Sequence, residues 1–214
     1  MAKSFAVFGL GRFGKRVARC LYERGADVIA VDGDPEQLEK VAGSVTYSVE
    51  ADLTDADDIK GIGIENTDVV IVAMGSDLKA SIMSVMVAKE VGVPYVVAKA
   101  ADERMGTILK KVGADKVIFP EEESGERTAR ILVSESFIEL FDVDKNLSII
   151  EMKPKKEWIG KNLIDLNLRE KYEANIVAVK ENSKMRPVID PKKALTEDTV
   201  LLVVVEKKNI KKLR

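Results

Sequence analysis

Four apolar residues, Phe5-Ala6-Val7-Phe8, run directly into Gly9-Leu10-Gly11-Arg12-Phe13-Gly14, and a second apolar run, Val28-Ile29-Ala30-Val31, ends on Asp32. Few folds accept that order. A buried strand turns tightly at the first glycine, brings its backbone close to a phosphate at the second, and packs against a helix at the third. The free N–H groups opening that helix, and its positive dipole end, then face anionic groups. Asp32 stands eighteen residues after Gly14, where a carboxylate accepts hydrogen bonds from ribose hydroxyls. The glycine pattern alone would also describe an ordinary glycine-rich turn. Strand, turn, helix, strand and acid in succession favour a nucleotide site.

The pattern continues as alternating strands and helices. Asp34 is a good N-cap with Pro35 at the first helical position, predicting a helix to Val41. Val45 to Val49 reads as a third strand, and Thr54 or Asp55 caps a short helix to about Ile62. Asp68 to Gly75 is almost wholly apolar, as in a central parallel strand covered on both faces. A helix over Asp77–Val91, a strand over Tyr95–Lys99, a helix over Asp102–Val112 and a last strand over Lys116–Phe119 complete the series. The fold class is therefore α/β, a Rossmann-like doubly wound parallel sheet over residues 1–119. Its ligand crevice is expected at the carboxyl ends of the strands, where Gly9, Asp32, Asp52, Gly75 and Lys99 fall.

Pro120-Glu121-Glu122-Glu123-Ser124-Gly125 breaks the alternation. Residues 120–143 are expected to form a crossover, with a long helix from Glu126 to Phe141. Its apolar residues Ile131, Leu132, Phe137, Ile138 and Phe141 exceed what one covering helix needs and suit packing on a partner chain. Residues 144–214 read as a small α+β domain. Its strands are Leu147–Met152, Ile176–Lys180 and Thr199–Val205, with a turn and helix over Trp158–Leu166.

Composition narrows the function. With 33% charged and 46% hydrophobic residues, the chain has ample core and a well-solvated surface. The longest apolar runs, Val69–Met74 and Val200–Val205, are strand-sized and too short to cross a bilayer. The first strand begins with no signal-peptide h-region before it, so a cytoplasmic location is expected. A formal charge of −2 gives no bias toward nucleic acid. The basic tail Lys207–Arg214 reads as a solvated terminal helix. Cys20, the single cysteine, reads as a small core residue. Histidine is absent, which closes Ser-His-Asp, Cys-His and His-ligated metal chemistry within one chain.

Beyond the first motif, the chain carries Val-Asp-Gly-Asp-Pro at 31–35, Ala-Met-Gly at 73–75, Ala-Lys-Ala at 98–100 and Phe-Pro-Glu at 119–121. Trp-x-Gly-Lys-x-Leu follows at 158–163, and Leu-Arg-x-Lys-Tyr-x-x-Asn-Ile-Val-Ala-Val at 168–179. Together these resemble the regulator-of-K+-conductance (RCK, or KTN) family, and most of all the cytosolic subunits of Ktr and Trk potassium transporters. The resemblance covers almost the whole chain. It implies that Gly9, Gly11, Phe13, Gly14 and Gly33 belong to an ATP/ADP site in which Asp32 meets the ribose. By the same resemblance Asp34, Asp52 and Leu53 line the adenosine pocket, with Met74, Gly75 and Ser76 closing it. Lys99, Ala100 and Ala101 reach the nucleotide from the fifth strand, and Met105 stands where relatives often carry a larger polar or aromatic residue.

The resemblance further implies that Arg12 points across a dimer interface at a neighbouring γ-phosphate, and that Glu121 supports Mg2+ or Ca2+ there. Homodimers would build an octameric ring docked on a membrane potassium channel or transporter subunit, at the inner face of the cell membrane. In the C-terminal domain, Arg169, Asn175, Ile176, Ala178 and Pro191 fall in the stretch through which some Ktr subunits bind cyclic di-AMP. Such a subunit regulates and does not catalyse. Two other classes stay open: an NAD(H)-binding oxidoreductase, since Asp32 suits NAD and ATP equally, and a scaffold that holds nucleotide structurally.

Overall fold

The computed structural model describes residues 2–133, 137–181 and 184–213. The chain forms two compact units, residues 1–121 and 122–214.

In the first unit, β1 (Ser4–Phe8), β2 (Asp27–Asp32), β3 (Tyr47–Glu50), β4 (Val69–Val72), β5 (Tyr95–Lys99) and β6 (Lys116–Ile118) make one sheet. Its order is β3-β2-β1-β4-β5-β6, and every pairing is parallel. This is the doubly wound topology expected from the sequence, with the order reversing between β1 and β4. Five helices connect the strands: α1 (Arg12–Tyr22), α2 (Pro35–Glu39), α3 (Ala56–Gly61), α4 (Leu78–Glu90) and α5 (Glu103–Lys111).

The apolar strands split their side chains by parity, because successive residues face opposite sides of a sheet. Ala6, Phe8, Val70 and Val72 enter one core, whereas Val7, Val69 and Ile71 enter another. Burial on both faces explains why β4 needs no polar alternation. Asp34, Asp55, Asp77 and Asp102 each accept a backbone N–H at the start of α2, α3, α4 and α5. Those caps satisfy donors that the first helical turn leaves open. The observed helices stop one or two residues short of the expected ends, and β3 begins at Tyr47, two residues later than expected. Cys20 is half-buried on α1, while Gly14 and Ala18 hold that helix's buried face.

The stretch after β6 differs from expectation. A helix, α6, covers Pro120–Leu132, and Phe137–Asp142 is a strand, β7. The expected helix to Phe141 is therefore corrected in its last third; residues 134–136 lie outside the described residues. β7 pairs antiparallel with β8 (Leu147–Met152). Edge pairing thus overrides a spacing of Ile131, Leu132, Phe137, Ile138 and Phe141 that also fits a helix.

The second unit is a five-stranded antiparallel sheet, β10-β9-β11-β8-β7, with β9 over Ala174–Glu181, β10 over Lys184–Arg186 and β11 over Val200–Glu206. Short helices α7 (Leu163–Leu166) and α8 (Leu168–Tyr172) and a terminal α9 (Ile210–Leu213) complete it. Ser148, Ile150 and Met152 alternate inward on β8, and the core centres on Trp158, which is 2% exposed. Tyr172 meets that indole edge-on at 5.4 Å. The tail is not a fully solvated helix as expected. Ile210 and Leu213 are buried in this core, so its lysines decorate an anchored turn; Arg214 lies outside the described residues.

Candidate functional site

The glycines of the first motif divide by what a side chain would meet. Gly9 has φ +86°, and a Cβ there would sit 2.4 Å from Met74 Cγ. A Cβ on Gly14 would lie 1.9 Å from the Gly9 carbonyl oxygen. Both are therefore demanded by the fold itself. Gly11 is different: its φ of −61° is ordinary, and a Cβ there meets nothing within 4 Å. The protein's own packing does not require a glycine at this position. The room it leaves opens into a cleft.

That cleft, of about 1270 Å³, lies at the carboxyl ends of the strands, as the crevice rule for such sheets expects. The structure brings to it Gly9, Gly11, Asp32, Gly33, Asp52, Leu53, Met74, Gly75, Ser76, Lys99, Ala101 and Glu121. Asp32 is held from two sides. Its Oδ2 accepts the Leu10 N–H at 2.6 Å and its Oδ1 accepts the Asp34 N–H at 2.9 Å. Each oxygen keeps a further acceptor position. Lys99 is the one basic side chain among the described lining residues. It is ion-paired with Glu121, and the hydrogen bond from Lys99 holds the Glu121 carboxyl below its ordinary range, with burial opposing.

Six expected residues stand elsewhere. Gly14 and Ala100 are buried packing positions, and Met105 is on the buried face of α5, in the core. Asp34 turns its carboxylate to α2, accepting from the Glu36 N–H and Gln37 Nε2, which lowers its pKa. Arg12 is exposed at the start of α1, off the cleft lining. The Phe13 ring lies 5.7 Å from Lys99 Nζ and so supports the site indirectly. Conversely, Glu50, Ala51, Thr54, Asp58, Ala73, Asp77 and Ala80 also line the cleft. Glu50, Ala51 and Ala73 directly follow or end strands, a placement the crevice rule would have flagged. Asp58 arrives through its acceptance of the Asp52 N–H at 3.1 Å, which nothing in the sequence announces.

The donor set does not by itself make a metal cage. Among the described residues no group of three His, Cys, Asp or Glu side chains is arranged to hold an ion. Glu121 alone contributes one carboxylate, already paired with Lys99.

In the second unit, Arg169, Asn175, Ile176 and Pro191 border one shallow depression of about 270 Å³, with Leu163, Leu168 and Ile189 among its walls. Ala178 does not border it and is buried, 5% exposed.

The fold and the cleft define a class, a Rossmann-type nucleotide-binding unit joined to a small antiparallel domain. Residues 5–120 match the TrkA-N domain and residues 147–214 the TrkA-C domain. The chain belongs to the family of Ktr system potassium uptake proteins built from these two domains. It is 34% identical over 210 residues to Ktr system potassium uptake protein A of Bacillus subtilis, covering 98% of this chain and 95% of that one. Protein C of the same system is 34% identical over 206 residues, 95% and 92% of the two chains. Protein A of Vibrio alginolyticus is 32% identical over 202 residues, 94% and 92%. Among solved structures, the GsuK channel superposes with TM-score 0.68 at 18% identity, over 99% of this chain and 38% of that one. The same channel bound to NAD gives 0.65 at 18% identity, over 98% and 38%; at such identity the likeness shows the fold. No described helix is long and apolar enough to cross a membrane.

Proposed function

We propose that this chain is the nucleotide-sensing regulatory subunit of a potassium transport system, binding ATP and ADP in the cleft of the first unit. The observation that carries this is Gly11, a glycine that neither backbone nor packing requires, facing open space beside Lys99 and Asp32. Asp32 takes the ribose, the N–H groups of Gly11 and its successors meet the phosphates, and Lys99 supplies the positive charge. Exposed Arg12 lies off its own cleft, as suits a residue serving the ligand of a neighbouring subunit. A cation at Glu121 would draw most of its oxygens from the phosphates, since no three of the described carboxylates converge to hold one.

Homodimers assemble into an octameric ring at the inner face of the membrane, on a separate membrane subunit of the Ktr or Trk type, and ATP and ADP favour different ring shapes. A ligand shifts such an equilibrium only through its differential affinity for the two states. The Ktr relatives support the potassium role. An NAD(H)-binding oxidoreductase is the alternative reading, and the potassium uptake relatives favour the regulatory one. A second, smaller reading concerns cyclic di-AMP. A depression of about 270 Å³ suits half of such a dinucleotide, and a two-fold ligand suits two copies of the same residues.

The test is potassium uptake in an uptake-deficient bacterium carrying a Ktr membrane subunit. Adding this chain should restore nucleotide-dependent uptake, and Asp32→Ala should abolish that dependence. Uptake indifferent to this chain would refute the proposal.

A further inference from the structure

The formal charge of −2 over the whole chain conceals a split. Residues 1–146 hold 18 Lys and Arg against 26 Asp and Glu, a balance of −8, whereas residues 147–214 hold 16 against 10, a balance of +6. Such an asymmetry points to an anionic partner for the second stretch.

The fold gathers part of that excess. Beyond β11 the Lys207 N–H donates to the Asn146 carbonyl oxygen at 2.7 Å. The tail then runs on until the Lys212 carbonyl oxygen accepts from Lys155 Nζ at 2.8 Å. The same ammonium lies 5.3 Å from the Tyr172 ring centroid and 5.7 Å from that of Trp158. Lys155 thereby ties the segment after β8 to the end of α8 and to the tail. Three stretches remote in sequence, 153–157, 170–173 and 206–213, meet there, and they carry eight lysines against four glutamates. Lys207 is paired with Asp142, Lys208 with Glu206 and Lys212 with Glu173. Lys153, Lys156, Lys171 and Lys211 are exposed and have no ion pair among the described residues. Ile210 and Leu213 are buried in the core of this unit. They anchor the backbone that carries the lysines, and they leave α9 no apolar face to insert into a bilayer.

We propose that this lysine face docks the chain on an anionic lipid surface, held by charge and without insertion. Lipid phosphates are spread over a plane and free to move sideways. Lysines meet them as compact point charges on flexible stems, with no fixed fork geometry to satisfy. The face goes beyond the nucleotide reading and does not depend on it, since charge attraction needs neither a ligand in the cleft nor a membrane subunit. It suits a subunit that works at the inner face of a membrane.

Cosedimentation of the full chain with lipid vesicles tests this. The chain should bind vesicles of phosphatidylcholine mixed with phosphatidylglycerol, and vesicles of phosphatidylcholine alone should leave it in solution. Binding should weaken steeply as salt shortens the screening length from about 30 Å at 0.01 M to about 8 Å at 0.15 M. Each lysine near such a surface contributes about fivefold in affinity, so Lys156→Gln/Lys171→Gln/Lys211→Gln should bind about 100-fold more weakly. Lys110→Gln/Lys111→Gln/Lys116→Gln removes the same charge from the first unit and should bind as wild type does. All six lysines are exposed, so both variants should melt near the wild-type temperature. No binding by wild type at low salt, equal binding to the two kinds of vesicle, or equal losses in the two variants overturns the proposal. So does a preference for duplex DNA over the anionic vesicles at the same salt, which would make this face a nucleic-acid surface.

Discussion

Gly11→Ala separates the stability of the fold from the use of its cleft. Residue 11 is the N-cap of α1, with φ −61° and ψ −172°, a conformation that alanine adopts freely. An added methyl meets no protein atom within 4 Å, so no overpacking penalty applies in the unliganded chain. Alanine restricts the unfolded state by about 0.4–1 kcal/mol relative to glycine. It is a poorer N-cap than glycine by roughly the same amount. The two offset, and the melting temperature should move by no more than about 2 °C. Ligand binding should respond differently. A methyl forced against a phosphate or its hydration acts like overpacking, at about 1–3 kcal/mol, or roughly 5- to 150-fold in affinity. Scanning calorimetry without ligand, followed by titration with ADP, reads both quantities on one sample. Wild-type ADP affinity in Gly11→Ala would refute the placement of phosphates at Gly11. A loss of more than about 10 °C would show that the glycine serves packing after all.

The neighbouring glycine gives the contrasting result. Gly14→Ala places a methyl 1.9 Å from the Gly9 carbonyl oxygen, so it should destabilise the fold by about 3 kcal/mol or more, visible as a lowered urea midpoint. Arg12→Ala should weaken ATP at least about tenfold more than ADP, because only the triphosphate presents the group that a neighbouring arginine would read; equal losses in titration would argue against that role. Acid stability of the second unit should depend on Asp142. Partial burial pushes its carboxyl up, but hydrogen bonds from Ser148, Lys207 and Arg130 outweigh it and leave the pKa lowered. A lowered folded-state pKa stabilises fully above the unfolded value of about 3.9 and ceases to do so as pH falls through the folded value. Asp142→Asn should therefore lower stability at neutral pH and flatten the decline between about pH 5 and pH 3, as followed by circular dichroism.

What the sequence made legible follows from how local each signal is. β1, the glycine turn, α1 and β2 are readable because a close approach of 1.9 Å or a φ of +86° leaves glycine as the only residue that fits. The helix starts are readable because Asp34, Asp55, Asp77 and Asp102 cap them through contacts two or three residues away. β7 was not readable, since its partner β8 decides its state and its apolar spacing suits either period. The anchoring of Ile210 and Leu213 depends on a core assembled from β8, β9 and β11, which no window of the tail contains. The cleft divides in the same way. Strand-end residues such as Asp32 and Lys99 could be placed from topology. Asp34, Ala100 and Met105 could not, because capping and core packing claim their side chains.

The most direct measurement is competitive calorimetric titration of the purified chain with ATP and ADP, repeated on Asp32→Ala. Both nucleotides should bind saturably, one per chain, each excluding the other, and Asp32→Ala should weaken both by at least about tenfold. The lost charged hydrogen bonds to the ribose set that size, at roughly 1.5–3 kcal/mol each before relaxation. A chain that binds neither nucleotide, or whose Asp32→Ala variant keeps wild-type affinity, would contradict the assignment of this cleft.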